Sequence, residues 1–105
     1  MEDLDHYEAI PEFNRLRNEV LWGDVWKQTE LSLRDRSLVT CAILGALGKT
    51  SELEYHMGLG IENGLTPDEL RGLVVQLAIY SGWPNGVAAA KAGLAIFKAD
   101  SQKSE

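Results

Sequence analysis

Cysteine is almost missing from this chain. Cys41 stands alone among 105 residues, so neither an internal disulfide framework nor an intrachain thiol pair can form. Histidine is nearly as scarce. His6 and His56 lie far apart, no HExxH-like or CxxC-like spacing occurs, and no metal site is expected. Phosphate-cradling glycine loops and serine-nucleophile elbows are absent as well. No apolar run approaches the ~20 residues that cross a bilayer. The opening Met1-Glu2-Asp3-Leu4-Asp5 has neither the basic nor the apolar region of a signal peptide. A soluble, cytoplasmic protein without membrane attachment is the expectation. Positive charge is in deficit too: 10 lysines and arginines face 16 acids, for a net charge of −6. That balance argues against nucleic acid, whose binding draws on a basic stripe.

What is present is apolar and compactly distributed. Hydrophobic residues make up 45% of the chain, and no linker, repeat or low-complexity tract divides it, so one domain over residues 1–105 is expected. A domain this small leaves much apolar surface uncovered, which favours self-association. An anionic ligand would need local positive charge, for which Arg34, Arg36, Lys49 and Arg71 are the candidates.

The pattern is helical throughout. Residues 1–7 and 101–105 are polar ends expected to fray. Pro11 suits a first helical turn, and Phe13, Leu16, Val20 and Leu21 continue at helical spacing, predicting a helix from Pro11 to Trp26. Ser32 caps a second helix whose stretch from Leu38 to Leu47 is apolar nearly all round, the mark of a central buried element. Gly48 ends it. A third helix opens at Thr50 or Ser51, with Ser51 and Glu54 at capping-box spacing, and stops at Asn63-Gly64. Thr66-Pro67-Asp68-Glu69 is the strongest start signal, and Leu70, Leu73, Val74, Leu77, Ala78 and Ser81 share one face of the helix it opens. Gly82-Trp83-Pro84-Asn85 breaks it, and Pro84 can start a fifth helix, rich in alanine and glycine, that extends to about Ala99. No segment alternates as a strand would, and the fold class is all-α.

Several side chains carry possible chemistry. His56 lies in the stripe Leu53, His56, Met57, Gly60, Ile61, with Glu52 one turn earlier. A carboxylate beside a half-buried imidazole can orient it and raise its pKa, which suits a general acid; the alternative is a core histidine bonded to a neighbouring helix. Arg36, just before the buried run, can grip a carboxylate in a bidentate fork or form a plain ion pair with Asp35 or Glu30. Gln76 and Tyr80, four apart, can offer donors to a bound carbonyl or carboxylate. Equally, Tyr80 and Trp83 can be core aromatics with tethered polar tips. Trp22 and Trp26 read as a packing pair, Cys41 as inert core, and Arg34 and Lys49 as surface charges.

Five blocks, in order, resemble one family: Leu21-Trp22-Gly23-Asp24-Val25-Trp26, Leu33 to Thr40, Glu52-Leu53-Glu54-Tyr55-His56, Glu62-Asn63-Gly64-Leu65-Thr66 and Ala78 to Pro84. Over about residues 12–97 the chain is similar to the carboxymuconolactone decarboxylase family. The resemblance implies the all-helical bundle of about five to six helices shared with alkylhydroperoxidase D, assembled as a homo-oligomer, a trimer or hexamer before a dimer. The peroxidase branch carries a glutamate, a CxxC pair and a histidine. Here Ser37 stands for the glutamate, and Lys49 and Glu52 for the cysteines, so thiol-based peroxide reduction has no nucleophile. Arg36-Ser37-Leu38, Glu52 to His56 and Gln76 fit the decarboxylase branch, whereas Trp83 departs from its usual small or aliphatic residue.

The resemblance implies cofactor-free decarboxylation of a carboxylated lactone such as 4-carboxymuconolactone, in the degradation of aromatic compounds. The substrate would be a small organic anion. Arg36 would anchor it, Gln76 or Tyr80 would face the developing oxyanion with Trp83 beside it, and His56, oriented by Glu52, would deliver the proton. Another lyase, isomerase or cyclase, or a non-catalytic oligomeric binding protein, would use the same scaffold.

Overall fold

A computed structural model describes residues 4–103, and these are helical with short connections. The chain falls into two compact units, one ending at Leu33 and one beginning at Arg34. In the first, α1 (Asp5–Ala9) and α2 (Pro11–Arg15) lead into a π-helical segment, Leu16–Trp22, and a 3-10 turn, Val25–Lys27. Asp5 onward is thus helical where a frayed end was expected, and Met1, Glu2, Asp3, Ser104 and Glu105 lie outside the described residues. The single helix expected from Pro11 to Trp26 is broken up. A Cβ on Gly23 would stand 2.6 Å from the Asn18 carbonyl oxygen and 2.7 Å from that of Glu19. The widened turn closes over the place where a side chain would be. Trp22 and Trp26 pack ring against ring at 5.0 Å between centroids, as expected.

The second unit holds α3 (Leu33–Ala46) from its second residue on, α4 (Thr50–Glu62), α5 (Pro67–Ser81), α6 (Trp83–Ala92) and α7 (Leu94–Lys103). Its helix ends follow local chemistry. Gly48 has φ +72°, and the amides of Lys49 and Gly48 reach the carbonyls of Leu44 and Gly45 at 2.9 and 3.2 Å. Gly64, at φ +109°, repeats the device: Leu65 N–H reaches Gly60 at 2.8 Å and Gly64 N–H reaches Ile61 at 3.1 Å. Both are Schellman closures, in which a left-handed residue lets two orphan carbonyls find donors. The box at Thr66 forms in full. The one read at Ser51 and Glu54 does not, because the cap position falls on Lys49, whose side chain makes no capping bond.

Cys41, Leu53, Met57, Leu65, Leu70, Leu73, Leu77 and Ala89 form the core, so the inward stripes read for α4 and α5 are the buried ones. Two expectations are corrected. Helix α3 is not buried all round: Val39 and Ile43 on it, and Leu47 just past its end, make an exposed stripe. The expected fifth helix is two, parted at Gly93, where a Cβ would stand 2.7 Å from the Phe97 ring and 3.1 Å from Met57 Sδ. A Cβ on Gly86 would stand 2.4 Å from that of Ala78. These glycines thus serve packing of α6 within the chain.

Candidate active site

Helices α3 and α5 lie side by side and run the same way. Arg34 at the start of one meets Glu69 at the start of the other. At the far end Asn85 Nδ2 donates to the last carbonyls of both, Ala46 at 3.0 Å and Ser81 at 3.1 Å. The small residues Ala42, Ala46 and Gly72 leave room between them for a groove of about 520 Å³, lined also by Leu38, Leu73, Leu77, Glu69, Gln76, Tyr80 and Ser81. A mostly apolar cleft with a few polar groups is the usual form of a small-molecule site.

The side chains singled out in the sequence are partly gathered here. Gln76 and Tyr80 both face the groove, as their four-residue spacing predicts. Tyr80 is 83% exposed and Trp83 70% exposed, so neither is the core aromatic that one reading allowed. Trp83 lines a separate apolar groove of about 280 Å³ between α5 and α6, with Val75, Ile79 and Val87. Arg36, Glu52 and His56 are not in the lining of the α3–α5 groove. Arg36 is half-buried on α3, two residues before the groove-lining Leu38, and its Nε is shielded from solvent. His56 is half-buried on α4 with Nδ1 shielded, and its ring meets Tyr55 edge-on at 5.2 Å. Glu52 is exposed.

Other charges are committed elsewhere. Arg71 pairs with Asp68 at 2.7 Å and Asp100 at 2.8 Å and lies over the Phe97 ring. Ser37 is fully buried and accepts from Asn63 Nδ2 at 3.0 Å, which ties α3 to the closing turn of α4. Cys41 is fully buried, and burial pushes its thiol up to about 11, so it stays protonated near neutrality. Among the described residues no three His, Cys, Asp or Glu side chains gather as metal ligands would. Glu69, part of the helix-start signal Thr66-Pro67-Asp68-Glu69, also lines the groove. Its register with Leu73, Gln76 and Tyr80 along one face of α5 was the available signal.

An all-helical protein with an apolar, sparsely polar groove and no thiol pair falls in the class of small-molecule binding or converting helical proteins. The comparisons narrow that class. The model of the carboxymuconolactone decarboxylase family matches residues 11–95, and the chain belongs to this family. It is 36% identical over 98 residues to a 4-carboxymuconolactone decarboxylase of Acinetobacter baylyi, covering 93% of this chain and 72% of that protein. It is 35% identical over 74 residues to a nitrosuccinic acid decarboxylase of Metarhizium robertsii, covering 70% of this chain and 52% of that one.

Proposed function

We propose that this protein is a cofactor-independent carbon–carbon lyase that removes carbon dioxide from a carboxylated lactone such as 4-carboxymuconolactone. The observation that carries the reading is the 36% identity over 93% of the chain to an enzyme of that name. The groove supports it with a largely apolar wall and the donors of Gln76 and Tyr80.

The chemistry asks little of a protein. The bond to the carboxylate carbon breaks, its electron pair passes into the conjugated lactone carbonyl as a dienolate, and one proton is returned to carbon. Arg36 grips carboxylate in a fork. Gln76 or Tyr80 donates to the developing oxyanion, a contact worth about 3–4 kcal/mol of barrier. His56, oriented by Glu52, is the acid, worth about 10²–10⁴ in rate. Trp83, exposed at the start of α6 beside the neighbouring α5–α6 groove, would reach the site across the subunit contact. Apolar surroundings assist by desolvating the departing carboxylate.

The working form is a cytoplasmic homo-oligomer, a trimer or hexamer, acting in aromatic-compound degradation. Assembly closes the groove that a single chain leaves open at Tyr80, and His56 and Glu52 complete the site at or near the subunit contact. Nitrosuccinate is the second substrate to consider, given the relative named for it; a nitro group, like the lactone carbonyl, accepts an electron pair.

The test is carbon dioxide release from a panel of lactone acids and nitrosuccinate by the purified protein. Turnover of the carboxylated lactone is expected, and release from none of the panel would refute the reading. Mixing two inactive variants, His56→Ala and Gln76→Ala, tests the shared site: mixed oligomers regain activity only where the two side chains serve one site from different copies.

A further inference from the structure

Among the described residues Glu69 is the one carboxylate lining the α3–α5 groove, and its side chain is tethered at the start of α5. Its Oε1 accepts from Thr66 N–H at 2.9 Å while its own N–H donates to Thr66 Oγ1 at 3.1 Å, the reciprocal capping box. A negative charge held in a largely apolar wall repels a carboxylated ligand, and more strongly than it would in water. Arg34 answers that charge. Its Nη2 pairs with Glu69 Oε2, and its Nη1 lies 2.9 Å from Asp35 Oδ1. Neither Arg34 nor Asp35 lines the groove.

We infer that Arg34 is a specificity-determining residue: by masking Glu69 it lets the groove accept a carboxylated ligand, which an unmasked Glu69 would turn away. This rests on the decarboxylase reading for the identity of the anion, though the charge effect itself does not need catalysis. A glutamine at position 69 serves a capping box as glutamate does, so the charge can be removed while the helix start is kept.

The experiment measures binding of a carboxylated butenolide and of its methyl ester by calorimetry, with turnover of the acid followed in parallel. Arg34→Gln should weaken binding of the acid about tenfold, a 1.4 kcal/mol effect, leave the ester unchanged, and act on KM rather than kcat. Adding Glu69→Gln to that variant should restore the acid, whereas adding Asp35→Asn should not. Glu69→Gln alone should bind the acid more tightly than the parent, which keeps a test in hand if Arg34→Gln fails to fold. The inference is overturned by an unchanged affinity for the acid in Arg34→Gln, by equal weakening of acid and ester, by a failed rescue, or by a parent protein that does not bind the acid. Binding with the predicted charge pattern but no carbon dioxide release would instead refute the decarboxylase reading and leave the masking role standing.

Discussion

Cys41 and His56 are opposite cases of a polar atom placed inside a small helical unit. The Cys41 thiol is fully buried with its pKa pushed up to about 11, so it has no thiolate to offer at neutral pH. Cys41→Ala or Cys41→Ser should leave turnover nearly intact, and the protein should show no thiol-dependent peroxide reduction; robust, Cys41-dependent peroxidase activity would overturn the decarboxylase assignment. The same shift has a stability signature. The unfolded thiol ionises near 9 and the folded one near 11, so the unfolded state gains relative to the folded as pH rises between them. Below pH 9 nothing is lost; by pH 11 the loss approaches about 2–3 kcal/mol. Comparing the alkaline slopes of denaturation for the parent and Cys41→Ala isolates this group from the lysines. His56, by contrast, is half-buried on the inward stripe of α4. His56→Ala should lower turnover at least about a hundredfold with little loss of thermal stability, if it is the acid. A core histidine would give the reverse, lost stability with specific activity kept. Both readings come from one preparation.

At the scale of elements, α6 is held against its neighbours by what it lacks. Gly86 sits where a Cβ would be 2.4 Å from the Ala78 Cβ and 3.1 Å from its Cα, so backbone rather than a flexible tip would have to yield. Gly86→Ala should cost about 1–3 kcal/mol through overpacking of α5 against α6. Gly58, inside α4, has nothing within 4 Å of its would-be Cβ, and Gly58→Ala should instead gain about 0.5–1 kcal/mol from helix propensity. Urea denaturation of the two variants checks both signs, and a neutral Gly86→Ala would mean the α5–α6 contact is looser than described. The start of α5 is the other fixed point. Thr66→Ala removes the side-chain half of the capping box and should cost about 1 kcal/mol.

For the whole molecule the decisive feature is apolar surface left over after packing. Val75, Ile79, Tyr80 and Trp83 are 65–83% exposed along α5 and the start of α6, and Ile43 on α3 and Leu47 just past its end are exposed too. Isolated exposed apolar residues are ordinary, but a contiguous face of them marks an interaction surface. A stable homo-oligomer is therefore expected at micromolar concentration by sedimentation equilibrium. Ile79→Glu, a change at a position open to solvent in the single chain, should dissociate it while preserving helical content. A clean 11.6 kDa monomer of the parent chain that still turns over substrate would sink both the assembly and the shared site.

The sequence alone determined the helical class, most helix ends and the inward stripes of α4 and α5. Caps such as Thr66–Glu69, the glycine stops at Gly48 and Gly64, and the stripes Leu53–Met57–Gly60 and Leu70–Leu73–Leu77 are interactions between residues at most five apart, so they are written locally. The pairing of Gln76 with Tyr80 was legible for the same reason. Only the tertiary structure decided that Val39, Ile43 and Leu47 stay exposed, that Gly93 parts one expected helix in two, and that Trp83 faces a different groove from Tyr80. It also turned Arg34 from an expected surface charge into the partner of Glu69. Those outcomes depend on which helix lies beside which, and side chains far apart in the chain settle that by shape. A one-dimensional spacing rule carries no information about the neighbour across a groove.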